Sequence, residues 1–222
     1  MHTRHLFSAC LILSLLAVPA FAWLRPGNPA PDITVITDAG IKLRLSELYA
    51  AGNTLVYFFP QAGSPDCTTE ACNLRDNFEA LGKLDVTIIG VSHDSREAQK
   101  VFKEKNQLPF SLVSDQDGAV SKAFFVPNLG GTNQAKRQSF IINQAGIVVW
   151  CDYKSSAKTM AQDALRAIAR VRSSQGNIPL DKLRAESYKD QDERTSVDYQ
   201  RARGAEPYAG PPADNPANKP KG

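Results

Sequence analysis

Two cysteines five positions apart, Cys67 and Cys72, stand in the run Pro60-Gln61-Ala62-Gly63-Ser64-Pro65-Asp66-Cys67-Thr68-Thr69-Glu70-Ala71-Cys72. An apolar, strand-like stretch from Leu55 to Phe59 leads into its Pro/Gly turn, so Cys67 falls where a helix should begin. The thiolate is the nucleophilic form of cysteine, and the unpaired N–H groups and positive dipole end of a helix start favour an anion. Pro65 suits a helix entry, and Ser64 brings a hydroxyl within reach of the same pocket. Glu70, one turn after Cys67, is placed to orient a cation. A second thiol nearby can capture an oxidised first one. The run reads as a redox site.

Composition removes most other chemistry. A chain of 222 residues holds one ordinary domain plus extensions, and a net charge of +3 gives no support for a nucleic-acid surface. Residues 1–22 read as a secretory signal. His2, Arg4 and His5 form a basic start, Leu6 to Val18 is apolar, and Ala20-Phe21-Ala22 supplies a small-x-small cleavage pattern. The apolar run is short of the roughly 20 residues that span a bilayer comfortably. The expectation is cleavage after Ala22 and export, to a bacterial periplasm, with no stable membrane span; an uncleaved N-terminal anchor is the alternative. Cys10 precedes most of the apolar run, the wrong place for a lipoprotein cysteine, and would leave with the signal.

Export leaves Cys67, Cys72, Cys151 and one histidine, His93. That set is too small for a disulfide framework and lacks the ligands of a zinc centre, so neither a metal nor a cofactor is expected. Cys151, inside the apolar Val148-Val149-Trp150-Cys151, reads as a small buried hydrophobe. His93 reads as a loop residue rather than a ligand or base.

The elements that must position Cys67 follow from periodicity. Ile33 to Ile36 and Ile41 to Leu45 flank Asp38-Ala39-Gly40 as a hairpin, and Ser46 to Ala51 is a short helical turn. Thr54 to Phe59 and Asp85 to Ser92 are strands buried on both faces. Between them the spacing predicts one helix from Cys67 to Leu81. A second helix, Ser95 to Asn106, is expected to start on a Ser95 cap and bury Ala98, Val101 and Phe102. Phe110 to Ser114 is a strand, Gly118 to Phe125 a short helix, and Ser139 to Asn143 with Ile147 to Asp152 a second hairpin. A periodic helix, Ser156 to Arg172, closes the domain. The order argues for an α/β sandwich with a central mixed sheet flanked by helices, spanning about residues 27–172. Residues 173–222 are polar and Pro/Gly-rich toward their end, which predicts a disordered tail.

The stretch Pro60, Ser64, Cys67 resembles the peroxiredoxin pattern Pro-x-x-x-Thr/Ser-x-x-Cys, and Cys-Thr-Thr-Glu-Ala-Cys is similar to the bacterioferritin-comigratory/PrxQ branch. Thr87 to Phe124 and Lys136 to Val148 extend the likeness. The resemblance implies a thioredoxin-like fold, with Cys67 as peroxidatic and Cys72 as resolving cysteine. By the same resemblance Arg137 favours the thiolate and polarises the peroxide, Pro60 shields the pocket, and Ser64 hydrogen-bonds the peroxide. Ser64 lacks the methyl of the usual threonine, and His93 stands where the branch usually has proline.

The implied reaction reduces hydrogen peroxide and small organic hydroperoxides. It passes through a Cys67 sulfenic acid and a Cys67–Cys72 disulfide, reset by a thioredoxin-like dithiol of unknown identity. On an intact helix, positions five apart rise about 7.5 Å and point roughly 140° apart, whereas a disulfide needs Cα atoms within about 7 Å. The helix must therefore unwind locally for resolution. Competing readings are a periplasmic thiol–disulfide oxidoreductase, which wants the Cys-x-x-Cys absent here, and a copper chaperone, whose cysteine spacing differs. A peroxide sensor or scaffold would use the same first step. The expected state is a monomer or weak dimer.

Overall fold

A computed structural model describes residues 23–174; the expectations for residues 1–22 and 175–222 lie outside them. The first hairpin pairs β1 (Thr34–Ile36) with β2 (Lys42–Arg44) as a separate two-stranded sheet, followed by α1 (Leu45–Ala51). Then come β3 (Asn53–Phe58), α2 (Pro65–Asp76), α3 (Phe78–Gly82), β4 (Val86–Ser92) and α4 (Arg96–Asn106). The chain continues through β5 (Ser111–Ser114), α5 (Ala119–Ala123), β6 (Gln138–Ile142), β7 (Val148–Asp152) and α6 (Met160–Ser174). Five strands form the main sheet in the order β5-β4-β3-β6-β7. β3 runs parallel to β4 and antiparallel to β6, so the sheet is mixed, as the element order predicts.

β3 is the centre of this sheet, and its side chains alternate between two cores. Leu55, Tyr57 and Phe59 just beyond it pack with Phe102, Ile141, Met160 and Ile168; Val56 and Phe58 pack with Tyr49, Phe124 and Phe140 on the other face. The period-two geometry of a strand makes this division, and it leaves α2, α3, α4 and α6 on one face with α1 and α5 on the other. At Gly90, where β4 runs beside Tyr57, an added Cβ would lie 2.7 Å from the Tyr57 ring and from Leu112, so the close packing there admits only glycine.

Three local expectations need correction. The single helix expected from Cys67 to Leu81 is two, broken at Asn77, whose side-chain amide donates to the Asn73 carbonyl at 2.8 Å and competes with the backbone ladder. On α4 the Ser95 cap forms, with its hydroxyl accepting from Ala98 N at 3.2 Å. The buried stripe, however, is Gln99 and Phe102: Ala98 is exposed and Val101 is 63% exposed. Gln99 turns inward because its amide donates to Val113 O at 2.7 Å and Ser92 Oγ at 2.9 Å, tying the helix to two strand ends. The closing helix starts at Met160, not Ser156, because Ser156 to Thr159 form a turn closed by Thr159 N on Ser156 O.

Candidate active site

Cys67 lies in the first turn of α2, immediately beyond the C-terminal end of β3. The link is a tight turn. Gly63 has φ of 80°, a left-handed conformation that suits glycine, and Ser64 N donates to Gln61 O across it. Ser64 then has the extended backbone of an N-cap, Pro65 occupies the first helical position, and Thr68 N donates to Ser64 O at 2.9 Å. Helical spacing puts Cys67, Glu70, Ala71 and Leu74 on one buried face of α2, against the sheet. Cys67 is only 1% exposed.

Arg137, the residue before β6, reaches this face from the neighbouring strand. Its Nη2 donates to Cys67 Sγ at 3.1 Å, and its Nη1 donates to Glu70 Oε2 in a buried ion pair. The planar fork allows one guanidinium to hold both groups at once. Burial pushes the Glu70 carboxyl up to about 8, against the pull of Arg137. Burial also works against the charge on Arg137, but Glu70 and Cys67 outweigh it and hold the guanidinium above its ordinary value. One guanidinium nitrogen is thereby held on Glu70 while the other stays aimed at the Cys67 sulfur. The second carboxyl oxygen of Glu70 has no hydrogen-bond partner among the described residues.

The predicted site residues are thus brought together unevenly. Cys67, Arg137 and Glu70 are in direct contact. Pro60 is half-buried in the turn that leads to Cys67. Ser64 donates its hydroxyl to Gln61 O at 3.1 Å, which leaves its lone pairs free to accept a proton-bearing ligand. Cys72 lies five positions on in the same unbroken helix, partly exposed; its thiol faces Asn106 Oδ1 at 3.8 Å, and no disulfide joins it to Cys67. Cys151 is buried in β7, its core packing that of a small hydrophobe.

Sequence reasoning missed what holds the turn. Asp94 Oδ2 accepts from Ala62 N at 2.7 Å and from Ser92 Oγ at 2.8 Å, fixing the loop ahead of Cys67. Gln134 Nε2 donates to Gln61 Oε1 at 3.3 Å, joining that loop to the segment that carries Arg137. His93 belongs to the same framework. Its Nδ1 must donate to the Asn133 carbonyl at 3.2 Å, since a carbonyl only accepts, and its Nε2 lies 2.9 Å from Ser121 Oγ. The run Ser92-His93-Asp94-Ser95 follows a strand end, and a carboxylate there was the available signal for a loop anchor. Among the described residues no helix is long and apolar enough to cross a membrane.

Comparison with known proteins gives a consistent picture. The AhpC/TSA family profile matches residues 26–151. The chain is 37% identical to peroxiredoxin Bcp of Bacillus subtilis over 64% of its own length and 93% of that protein's. It is 35% identical to the chloroplastic peroxiredoxin Q of Sedum lineare, over 58% and 68% of the two chains. Among solved structures it is similar to peroxidoxin BcpB from Mycobacterium tuberculosis, with a TM-score of 0.63 and 28% identity, covering 67% of this chain and 98% of that one. Peroxiredoxin Q of Xanthomonas campestris matches with a TM-score of 0.57 and 29% identity, over 62% and 90% of the chains.

Proposed function

The chain belongs to the AhpC/TSA family and is a thiol-dependent peroxidase with a thioredoxin-like fold, and on that premise we propose that its cycle runs through Cys67, Cys72 and Arg137. The observation that carries the assignment is the Arg137 guanidinium 3.1 Å from a thiol in the first turn of a helix. Membership of this family implies a peroxide substrate and a thioredoxin-type reductant.

The Cys67 thiolate attacks one peroxide oxygen as the O–O bond breaks. Its sulfur is oxidised to a sulfenic acid, and the other oxygen takes up a proton and leaves as water or an alcohol. Arg137 supplies donors where negative charge develops on the departing oxygen. Ser64, its own proton directed at Gln61 O, accepts from the peroxide O–H, and Pro60 limits water at the turn. Glu70 holds Arg137 in place. Cys72 then condenses with the sulfenic acid, releasing water and forming the disulfide. A dithiol resets both cysteines by exchange.

Residues 1–22 support export with cleavage after Ala22, which would put the reductant outside the cytoplasm as an extracytoplasmic dithiol relay. The exported protein would act as a monomer or weak dimer. Amino-terminal sequencing of protein recovered from the periplasm tests the first point, with a start at Trp23 expected, and sedimentation tests the second.

Peroxide consumption by wild type, Cys67→Ser and Cys72→Ser with a dithiol reductant tests the cycle. The expected result is no turnover in Cys67→Ser and a persistent sulfenic acid in Cys72→Ser. Full activity in Cys67→Ser would end the proposal, and unchanged resolution in Cys72→Ser would transfer the resolving role to Cys151.

A further inference from the structure

Resting on the peroxidase reading above, we infer that Arg75 and Asn73 are positioning residues for the resolution step: they bolt the Cys72 end of α2 to the ends of two other helices and so set how fast Cys72 can reach Cys67. Among the described residues the side-chain hydrogen bonds of both go to residues other than Cys67 and Arg137, and both lie just beyond Cys72.

Arg75 Nη1 donates to Asn106 O at 2.8 Å. Asn106 is the last residue of α4, which ends on a left-handed Gln107, so its carbonyl has no partner within the helix. Arg75 therefore supplies a C-terminal cap to α4 from outside. Cys72 sits on the same contact, its thiol toward Asn106 Oδ1 at 3.8 Å, while the Asn106 amide donates back to Phe102 O at 2.8 Å. Asn73 does the equivalent at the start of α6. Its Oδ1 accepts from Ala161 N at 2.8 Å, and its Nδ2 donates to Gln162 Oε1 at 3.3 Å. Ala161 is the second residue of α6, and its N–H is one that an N-cap side chain would ordinarily take. Thr159, just before the helix, has its hydroxyl committed to Asp163 instead.

The two helix ends are thus capped by the segment that must come apart. Resolution forms the Cys67–Cys72 sulfur–sulfur bond and expels the sulfenic oxygen as water, with the Cys72 thiol and the sulfenic hydroxyl supplying its hydrogens. It requires α2 to unwind, which pulls Arg75 from Asn106 and Asn73 from Ala161. While the bolt stays closed, a second peroxide can meet the sulfenic acid and oxidise it to the sulfinic acid, itself leaving as water or alcohol. The bolt sets the partition between the two fates. Each hydrogen bond, at a partly exposed helix end, should shift the opening equilibrium by roughly threefold to tenfold.

Stopped-flow kinetics on the full chain test this, following thiol oxidation and then disulfide formation, with mass spectrometry of the sulfinic fraction at rising peroxide. Arg75→Ala is expected to leave the first step unchanged, to speed disulfide formation by about threefold to tenfold, and to raise the peroxide concentration that gives half sulfinic acid by a similar factor. Arg75→Lys, which keeps a donor for Asn106 O, should return toward wild type, and Asn73→Ala should act in the same direction as Arg75→Ala. Disulfide formation unchanged or slowed in both alanine variants, with the first step intact, would overturn the inference. The wild type separates the two levels. Absence there of any sulfenic acid or of the Cys67–Cys72 disulfide overturns the peroxidase cycle itself, and the inference with it.

Discussion

Arg137 and Cys67 are 70 positions apart in the chain and 3.1 Å apart in space. The contact exists because β6 pairs with β3, placing Phe58 opposite Gln138, so the residue before one strand faces the helix that follows the other. Glu70 completes the arrangement by taking the second nitrogen of the same guanidinium.

Arg137→Lys is therefore expected to behave as a severe change. An ammonium cannot hold a carboxyl and a thiolate through one planar fork, and removal of a preorganised donor at a site of developing charge costs about 100-fold to 1000-fold in rate. The second-order rate of Cys67 oxidation measures it directly, and a loss under about threefold would mean that Arg137 contributes little beyond its charge.

Glu70 gives a pH signature in stability. Its folded carboxyl is raised from the ordinary 4.5 to about 8 by burial, so the folded state keeps a proton that the unfolded state releases. That contribution is fully present below about 4.5 and is lost as pH rises through about 8. Urea midpoints measured across this window should fall with pH in the wild type relative to Glu70→Gln, which has no proton to lose. Parallel midpoint curves would show that Glu70 is ionised throughout.

The loop ahead of Cys67 hangs on Asp94. Asp94→Ala removes the acceptor of Ala62 N, and a hydrogen bond to a charged group contributes about 1.5 to 3 kcal/mol. A fall in unfolding free energy of that order is expected, together with about tenfold slower Cys67 oxidation as the turn loosens. Asp94→Asn keeps an acceptor and should recover much of both. Equal rates in the alanine variant and the wild type would show that α2 alone fixes Cys67.

Much of this architecture was legible because it is local. The continuous apolar runs of β3 and β4 mark central strands, the Ser95 cap marks the start of α4, and the Pro60 to Cys72 run marks the helix entry. What stayed hidden depends on partners distant in sequence. Nothing near Gln99 says that a polar side chain will turn inward while Val101 faces solvent, because its partners, Ser92 and Val113, belong to strand ends that only the sheet brings together. The break at Asn77 and the late start of α6 are local instead: the Asn77 amide takes the carbonyl of Asn73, and Ser156 to Thr159 close a turn, neither of which shows in hydrophobic periodicity. Arg137 was located through the family resemblance; its contact with Glu70 needed the register of β3 on β6.

The helix that presents Cys67 is itself the strongest constraint on the cycle. α2 is continuous from Pro65 to Asp76, so Cys67 points into the core while Cys72 faces the end of α4. On such a helix the two Cα atoms are separated by about 7.5 Å along the axis, with side chains roughly 140° apart, and disulfide geometry tolerates neither. Buried Ala71 and Leu74 must loosen as the turn opens, which exposes apolar surface and makes the disulfide form locally less stable. Amide exchange across residues 67–75 should accordingly be faster by at least tenfold in the disulfide form than in the dithiol form, while β3 and β6 exchange alike in both. Equal protection of residues 67–75 in the two forms would show that the disulfide closes without unwinding, and the pairing of Cys67 with Cys72 would then have to be abandoned.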